Sequence, residues 1–184
     1  NTWGLFGWST EATNYGINTS TKTYDYSGAF KDWGKAIGNG NTWRTLSKAE
    51  WEYLLNTRTV NGGKGEGKSY QIAKINSDAT GGGVYGMILY PDNYTKQTGE
   101  TNYSLMGWTT MEAAGCVFLP AAGDRSSSSV YDVGSFGYCW SSTPAPNDSG
   151  YADYLRFGLS GAYMSTSSRY YGRSVRLVCG MSEN

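Results

Sequence analysis

From Tyr154 to Leu159 the chain reads Tyr-Leu-Arg-Phe-Gly-Leu, aliphatic or aromatic core types alternating with polar, amphipathic or small ones. A period of two fits a β-strand and no helix, because successive strand side chains point to opposite faces. The alternation predicts Leu155, Phe157 and Leu159 in a core and Tyr154, Arg156 and Gly158 presented outward. Tyr163 and Ser165 flank Met164 in the same manner. Tyr170 and Tyr171 fall in a connection before Val175, Arg176, Leu177 and Val178 return inside. From Tyr138 to Arg173 the chain is dominated by Tyr, Ser, Gly, Asp and Arg. Tyrosine offers large contact area at low entropy cost and the small residues adapt, which is how antibody loops recognise partners. Tyrosine is also a good strand residue in its own right, but several of them opposite a buried aliphatic face favour a binding surface.

The rest of the chain reads as short elements around a few large anchors. Among 184 residues stand 26 Gly, 16 Tyr and 7 Trp but only 4 Pro, a composition that aromatic-poor disordered chains lack. Residues 3–10 read as a short strand and 11–26 as a polar loop. A first helix is expected from Ser27, with Phe30, Trp33 and Ile37 on one face and Gly38 as the stop. A second is expected at Leu46–Arg58. There Ser47 and Glu50 have capping-box spacing, Leu46 and Trp51 stand where a hydrophobic staple closes, and Trp51, Leu54 and Leu55 supply the buried stripe. Val60–Lys68 should be a loop or hairpin tip, and Tyr70–Ile75 and Val84–Tyr90 strands with three glycines between them. Thr110–Gly115 reads as a short helical turn and Cys116–Pro120 as a buried strand. Ser135–Thr143, Tyr151–Leu159, Ala162–Thr166 and Ser174–Cys179 follow as four more. Two early helices followed by short, mostly antiparallel strands make an α+β pattern in a single domain, residues 1–184. Leu5–Thr10 and Leu105–Thr110 look alike, but without a fixed period they are no repeat.

Several functions are disfavoured by what is missing. Fifteen basic and fifteen acidic residues cancel, so the surplus of Lys and Arg that a nucleic-acid partner requires does not exist. No apolar run approaches the roughly 20 residues of a membrane span. The sequence begins at Asn1 with no charged-then-apolar leader, which leaves the compartment open. The chain has no histidine, hence none of the commonest general base or transition-metal ligand and no Ser-His-Asp triad. Cys116, Cys139 and Cys179 are widely spaced and odd in number. They suit neither a zinc site nor a disulfide framework, and small buried hydrophobes are the expected role, with one bridge left open. Glu50, Glu52, Asp92 and Glu112 sit where capping or solvation explains them better than paired-carboxylate catalysis. Gly62–Lys68 lacks the ending and the helix of a phosphate loop. Asn147-Asp148-Ser149 and Asp92-Asn93 are the dense oxygen clusters, and both read as turns before calcium sites. No metal and no cofactor is expected.

Four segments resemble one family. Trp43–Trp51, Cys116–Gly123, Tyr138–Pro144 and Gly172–Val178 are similar, in order, to the variable proteins of diversity-generating retroelements, especially those of gut Bacteroidetes and their phages. The resemblance implies a C-type-lectin-like fold of the formylglycine-generating-enzyme subtype. It also implies a C-terminal region, here 138–178, rewritten by adenine-directed reverse transcription. The framework it implies is Trp140–Pro144, Ala152, Leu155, Phe157, Arg169, Gly172 and Ser174–Val178. The ligand-binding positions it implies are Ser149, Tyr151, Asp153, Tyr154, Arg156, Gly158, Ser160, Tyr163, Ser165, Ser167, Ser168, Tyr170, Tyr171 and Arg173. Tyr, Ser, Asp, Gly and Arg are all reached by changing adenines in an asparagine codon. The expected function is therefore an adhesin or receptor-binding protein rather than an enzyme, at a bacterial cell surface, secreted, or on a phage tail. Its partner would be a macromolecule, protein first and surface glycan second, with no nucleic acid and no membrane span. The alternatives are a formylglycine-generating-type oxidase or its relict, and a calcium-dependent lectin. The chain departs from both: it lacks the Glu-Pro-Asn or Gln-Pro-Asp and Trp-Asn-Asp calcium motifs, and its cysteines show no active-site pair.

Overall fold

The computed structural model describes residues 43–58, 69–76, 82–95 and 99–180, with Phe30, Asp32 and Gly34 before them. The strand expected at 3–10, the loops at 11–26 and 60–68, and the first helix from Ser27 lie outside the described residues, apart from those three positions.

The elements run β1 (Trp43–Thr45), α1 (Lys48–Glu52, continued by a π-helical turn Tyr53–Thr57), β2 (Tyr70–Asn76), β3 (Gly83–Leu89), β4 (Asn102–Ser104), α2 (Leu105–Ala113), β5 (Val117–Pro120), β6 (Asp124–Ser126), β7 (Ser129–Tyr131), β8 (Phe136–Pro144), β9 (Tyr151–Gly158), β10 (Gly161–Ser168) and β11 (Leu177–Cys179). This is a mixed α and β fold dominated by strands. A four-stranded sheet has the order β4-β2-β3-β5, a three-stranded sheet the order β10-β9-β8, and two pairs, β1-β11 and β6-β7, complete the set. Every pairing is antiparallel except β2 with β4.

Alternation along the strands builds the layers. Met87 faces the central core with Trp51, Leu55, Tyr70, Leu119, Cys139, Leu155 and Phe157. Its neighbour Ile88 faces the other way, into a second cluster with Ala73, Tyr90, Tyr103, Met111 and Cys116. A third cluster, Tyr138, Trp140, Ala152 and Tyr154, lies on the far face of the three-stranded sheet.

The capping box of α1 is formed. Glu50 N–H donates to Ser47 Oγ at 3.3 Å, and Ser47 N–H donates to Glu50 Oε2 at 2.9 Å. Leu46 and Trp51 both enter the central core, and the helix ends with Arg58 as its cap. Arg44 adds a bidentate pair to Glu50 at 2.8 and 2.5 Å. The guanidinium and the capping hydrogen bonds hold the Glu50 carboxyl down at about 2.

Three of the four resembling segments are hydrogen-bonded to one another, and the fourth, Cys116–Gly123, is bonded to the start of β8. Trp43, Arg44 and Thr45 pair with Cys179, Val178 and Leu177. Lys48 N–H, one of the free donors at the start of α1, donates to Thr143 Oγ1 at 2.9 Å, and Ser142 N–H to Leu46 O at 2.9 Å. Gly123 N–H donates to Phe136 O, and Trp140 N–H to Ser174 O. Segments far apart in sequence thus make one frame around the three-stranded sheet.

Some expectations need correction. The helical turn expected at 110–115 is a longer helix, α2, beginning at Leu105 and capped by Ser104 Oγ on Gly107 N–H at 3.1 Å. It carries no apolar stripe: Leu105 and Met106 are exposed while Met111 is buried. Leu159, expected inside, is 79 % exposed, because β9 ends at Gly158 and Leu159-Ser160 is the two-residue loop to Gly161. The last strand covers only Leu177–Cys179, with Ser174 bridging to Cys139. Cys116 and Cys139 are buried as expected, but Cys179 is exposed, and none of the three is in a disulfide. β1, β4 and the β6–β7 hairpin were not anticipated.

Candidate ligand-binding pocket

Antiparallel register sets the far face of the three-stranded sheet. Tyr138 pairs with Arg156 and Trp140 with Tyr154; Arg156 pairs in turn with Tyr163, Tyr154 with Ser165, and Ala152 with Ser167. The phase expected from the sequence is correct, since Leu155 and Phe157 enter the central core and Tyr154 does not. The opposite face is not open throughout, however. Tyr154 is 7 % exposed, because the Arg173 side chain lies over it.

Arg173 is the centre of this face. Its guanidinium carbon stands 3.6 Å from the Tyr154 ring centroid, 4.7 Å from Trp140, 5.0 Å from Tyr171 and 5.3 Å from Tyr138. A cation among ring faces is attracted by their quadrupoles, worth up to about 2 kcal/mol per contact when desolvated. Nε donates to Asp124 Oδ2 at 3.5 Å, and the Arg173 side chain is only 4 % exposed. Burial pulls the Arg173 pKa down, and burial pushes Asp124 up against the pull of Arg173. Nη1 is buried without an acceptor, a deficit of about 1–3 kcal/mol. Tyr138 donates to Asp132 Oδ2 at 2.6 Å, and burial with that bond pushes its hydroxyl up to about 12.

Above Arg173 opens a pocket of about 440 Å³, between the three-stranded sheet and the β6–β7 hairpin. Five expected ligand-binding residues line it: Tyr154, Arg156, Ser167, Tyr171 and Arg173. Asp124, Ser126, Tyr131 and Tyr138 line it too and were missed. Tyr138 was legible, since it shares the phase of Trp140 on β8. The other three come from a serine-rich stretch that gives no strand pattern in sequence. Half-buried Arg156 lies 4.1 Å over the Phe136 ring and donates to the Tyr163 hydroxyl.

The remaining expected positions scatter around this centre. Ser149, Tyr151 and Tyr163 are exposed, and Ser165, Ser168 and Tyr170 are half-buried, with Tyr170 stacked on Tyr171 at 4.7 Å. Gly158 and Ser160 line instead a second pocket of about 290 Å³. Two positions contradict an exposed role. Asp153, 2 % exposed, shares the phase of Leu155 on the inner face. Its carboxylate accepts from Thr166 Oγ1 at 2.6 Å and from Lys48 Nζ at 3.5 Å. Gly158 is buried, and a Cβ there would stand 2.5 Å from Phe136 Cδ1. Of the expected framework, Trp140, Ser141, Ala152, Leu155, Phe157 and Arg169 are buried, whereas Pro144, Ser174 and Arg176 are exposed and the rest half-buried; Arg169 Nε donates to the Tyr151 carbonyl at 2.8 Å.

Asp148 Oδ1 accepts from Gly150 N–H at 2.7 Å, the hydrogen bond of a turn. No group of three or more metal-ligating side chains occurs among the described residues, and no described helix is long and apolar enough to cross a membrane. No family model, curated protein or solved structure matches the chain.

Proposed function

We propose that this chain is a ligand-binding protein, an adhesin or receptor-binding protein, which displays a diversified surface on a C-type-lectin-like scaffold and is rewritten by a retroelement. One observation carries the reading: five of the positions that the family resemblance makes variable line a single pocket, while the framework positions Trp140, Ser141, Ala152, Leu155, Phe157 and Arg169 are buried beneath and beside them. The C-type-lectin-like assignment draws support from the joining of β1 to β11 and from the hydrogen bonds that tie three of the four resembling segments to one another.

Binding suits this site better than catalysis. The Cys116 and Cys139 thiols are pushed by burial up to about 11 and about 12, far from the thiolate that oxidase chemistry requires. The pocket has the size of an ordinary ligand site, with large rigid rings for contact and small hydroxyls for adaptation. A place at a bacterial surface, in the medium or on a phage tail belongs to the same proposal.

Sequencing the DNA around the gene tests it. The proposal expects a near-copy of the 138–178 coding stretch beside a reverse-transcriptase gene, differing from it at adenines. A neighbourhood with neither would overturn the retroelement reading.

A further inference from the structure

We infer that the pocket over Arg173 receives an acidic sugar, a carboxylate-bearing ring with free hydroxyls, held without a metal. The inference rests on the reading of this pocket as the binding site and adds the class of group it takes. Charge comes first. Arg156 and Arg173 face the pocket against one lining carboxylate, Asp124. That carboxylate is engaged by Arg173, while Arg156 has no carboxylate partner among the described residues. Asp132 lies next to the site with its carboxylate taken by Tyr138. Arg173 Nη1 lacks an acceptor but is covered, so Arg173 acts as a fixed positive charge beneath the floor. Arg156, half-buried at the rim, is the donor that a ligand carboxylate touches, and its planar fork matches a carboxylate in two parallel hydrogen bonds.

Hydroxyls decide between acids. Ser126, Ser167, Tyr131 and Tyr171, all hydroxyl-bearing, line the same space together with the Asp124 carboxylate. A group with both a carboxylate and donor hydroxyls uses all of these. The side chain of an acidic peptide brings a carboxylate for the guanidinium but no hydroxyl for Asp124 or the lining serines and tyrosines. Tyr131, 54 % exposed, supplies a ring against which the apolar face of a sugar can lie.

The test titrates the whole chain with glucuronate, glucose and glutarate, read by amide and arginine side-chain NMR shifts. Glucuronate is expected to give saturable shifts at Arg156, Tyr163 and Ser167, with glucose and glutarate each at least about tenfold weaker, the equivalent of about 1.4 kcal/mol. Arg156→Gln should weaken glucuronate at least about tenfold with an unchanged melting temperature. Should that variant unfold, Tyr163→Phe, which removes only the hydroxyl bracing Arg156, should still weaken it several-fold. Glucose as tight as glucuronate, glutarate as tight as glucuronate, or no saturable shift in this pocket would each overturn the inference. Loss of the sugar with natural variation still confined to this face removes this inference alone; variation spread over both faces removes the reading of the pocket itself.

Discussion

Tyr154 and Tyr163 point to the same side of the three-stranded sheet, but their surroundings differ. Tyr154 is enclosed by Arg173, Trp140 and Tyr138, with its ring centroid 5.9 Å from Trp140 and 6.0 Å from Tyr138. Tyr163 is 46 % exposed and accepts a hydrogen bond from Arg156. Tyr154→Ala should therefore cost about 3–5 kcal/mol, as for other buried aromatics. Tyr163→Ala should stay within about 0.5 kcal/mol. Denaturant midpoints at constant slope separate the two, and equal losses would contradict the placement. The phase of both tyrosines was legible from the alternation of Leu155 and Phe157. The cover over Tyr154 was not, because it depends on Arg173 returning from a distant turn. Asp153 was misplaced although the same alternation, which puts it in phase with Leu155 and Phe157, turns it inward; only its partner Lys48, 105 residues away in sequence, was hidden.

At the level of elements, legibility followed the strength of local chemistry. The start of α1 could be read residue by residue, since a capping box and its staple lie within six positions. In α2 a glycine, two threonines and exposed Leu105 and Met106 gave no periodic signal; Thr109 and Thr110 back-bond to Leu105 O and Met106 O at 3.0 and 3.2 Å. The α1 cap also predicts a pH dependence. The folded pKa of Glu50 is lowered from 4.5 to about 2, so its contribution is fully present above the unfolded value and fades as pH falls towards 2. Glu50→Gln keeps the capping geometry and removes the charge. It should be less stable than wild type by about 1 kcal/mol at neutral pH, the size of one cap or half-exposed pair. The gap should close between pH 4.5 and 2 in thermal melts; a pH-independent gap would contradict the pairing. At the β9–β10 turn, Gly158→Val should destabilise by about 1–3 kcal/mol through overpacking against Phe136. An unchanged midpoint would return Gly158 to the variable set.

For the molecule as a whole, the fold divides labour along its alternating strands. Three short strands carry core residues on one side and pocket residues on the other, and segments distant in sequence lock their ends. A change on the buried side costs several kcal/mol against a total stability of about 5–15 kcal/mol. A change at the pocket rim costs little, so this geometry tolerates rewriting there. The structure also sharpens which positions are free: Arg156, Tyr163, Ser167 and Tyr171 tolerate exchange, while Asp153, Tyr154 and Gly158 are tied to neighbours. Deep sequencing of this locus in related isolates tests that division most directly. Differences should concentrate between 149 and 173 on the pocket side, spare Leu155 and Phe157, and be rarer at Asp153, Tyr154 and Gly158 than at Arg156 and Tyr163. Differences spread evenly along residues 1–184, or falling equally on both faces of β9, would contradict the account.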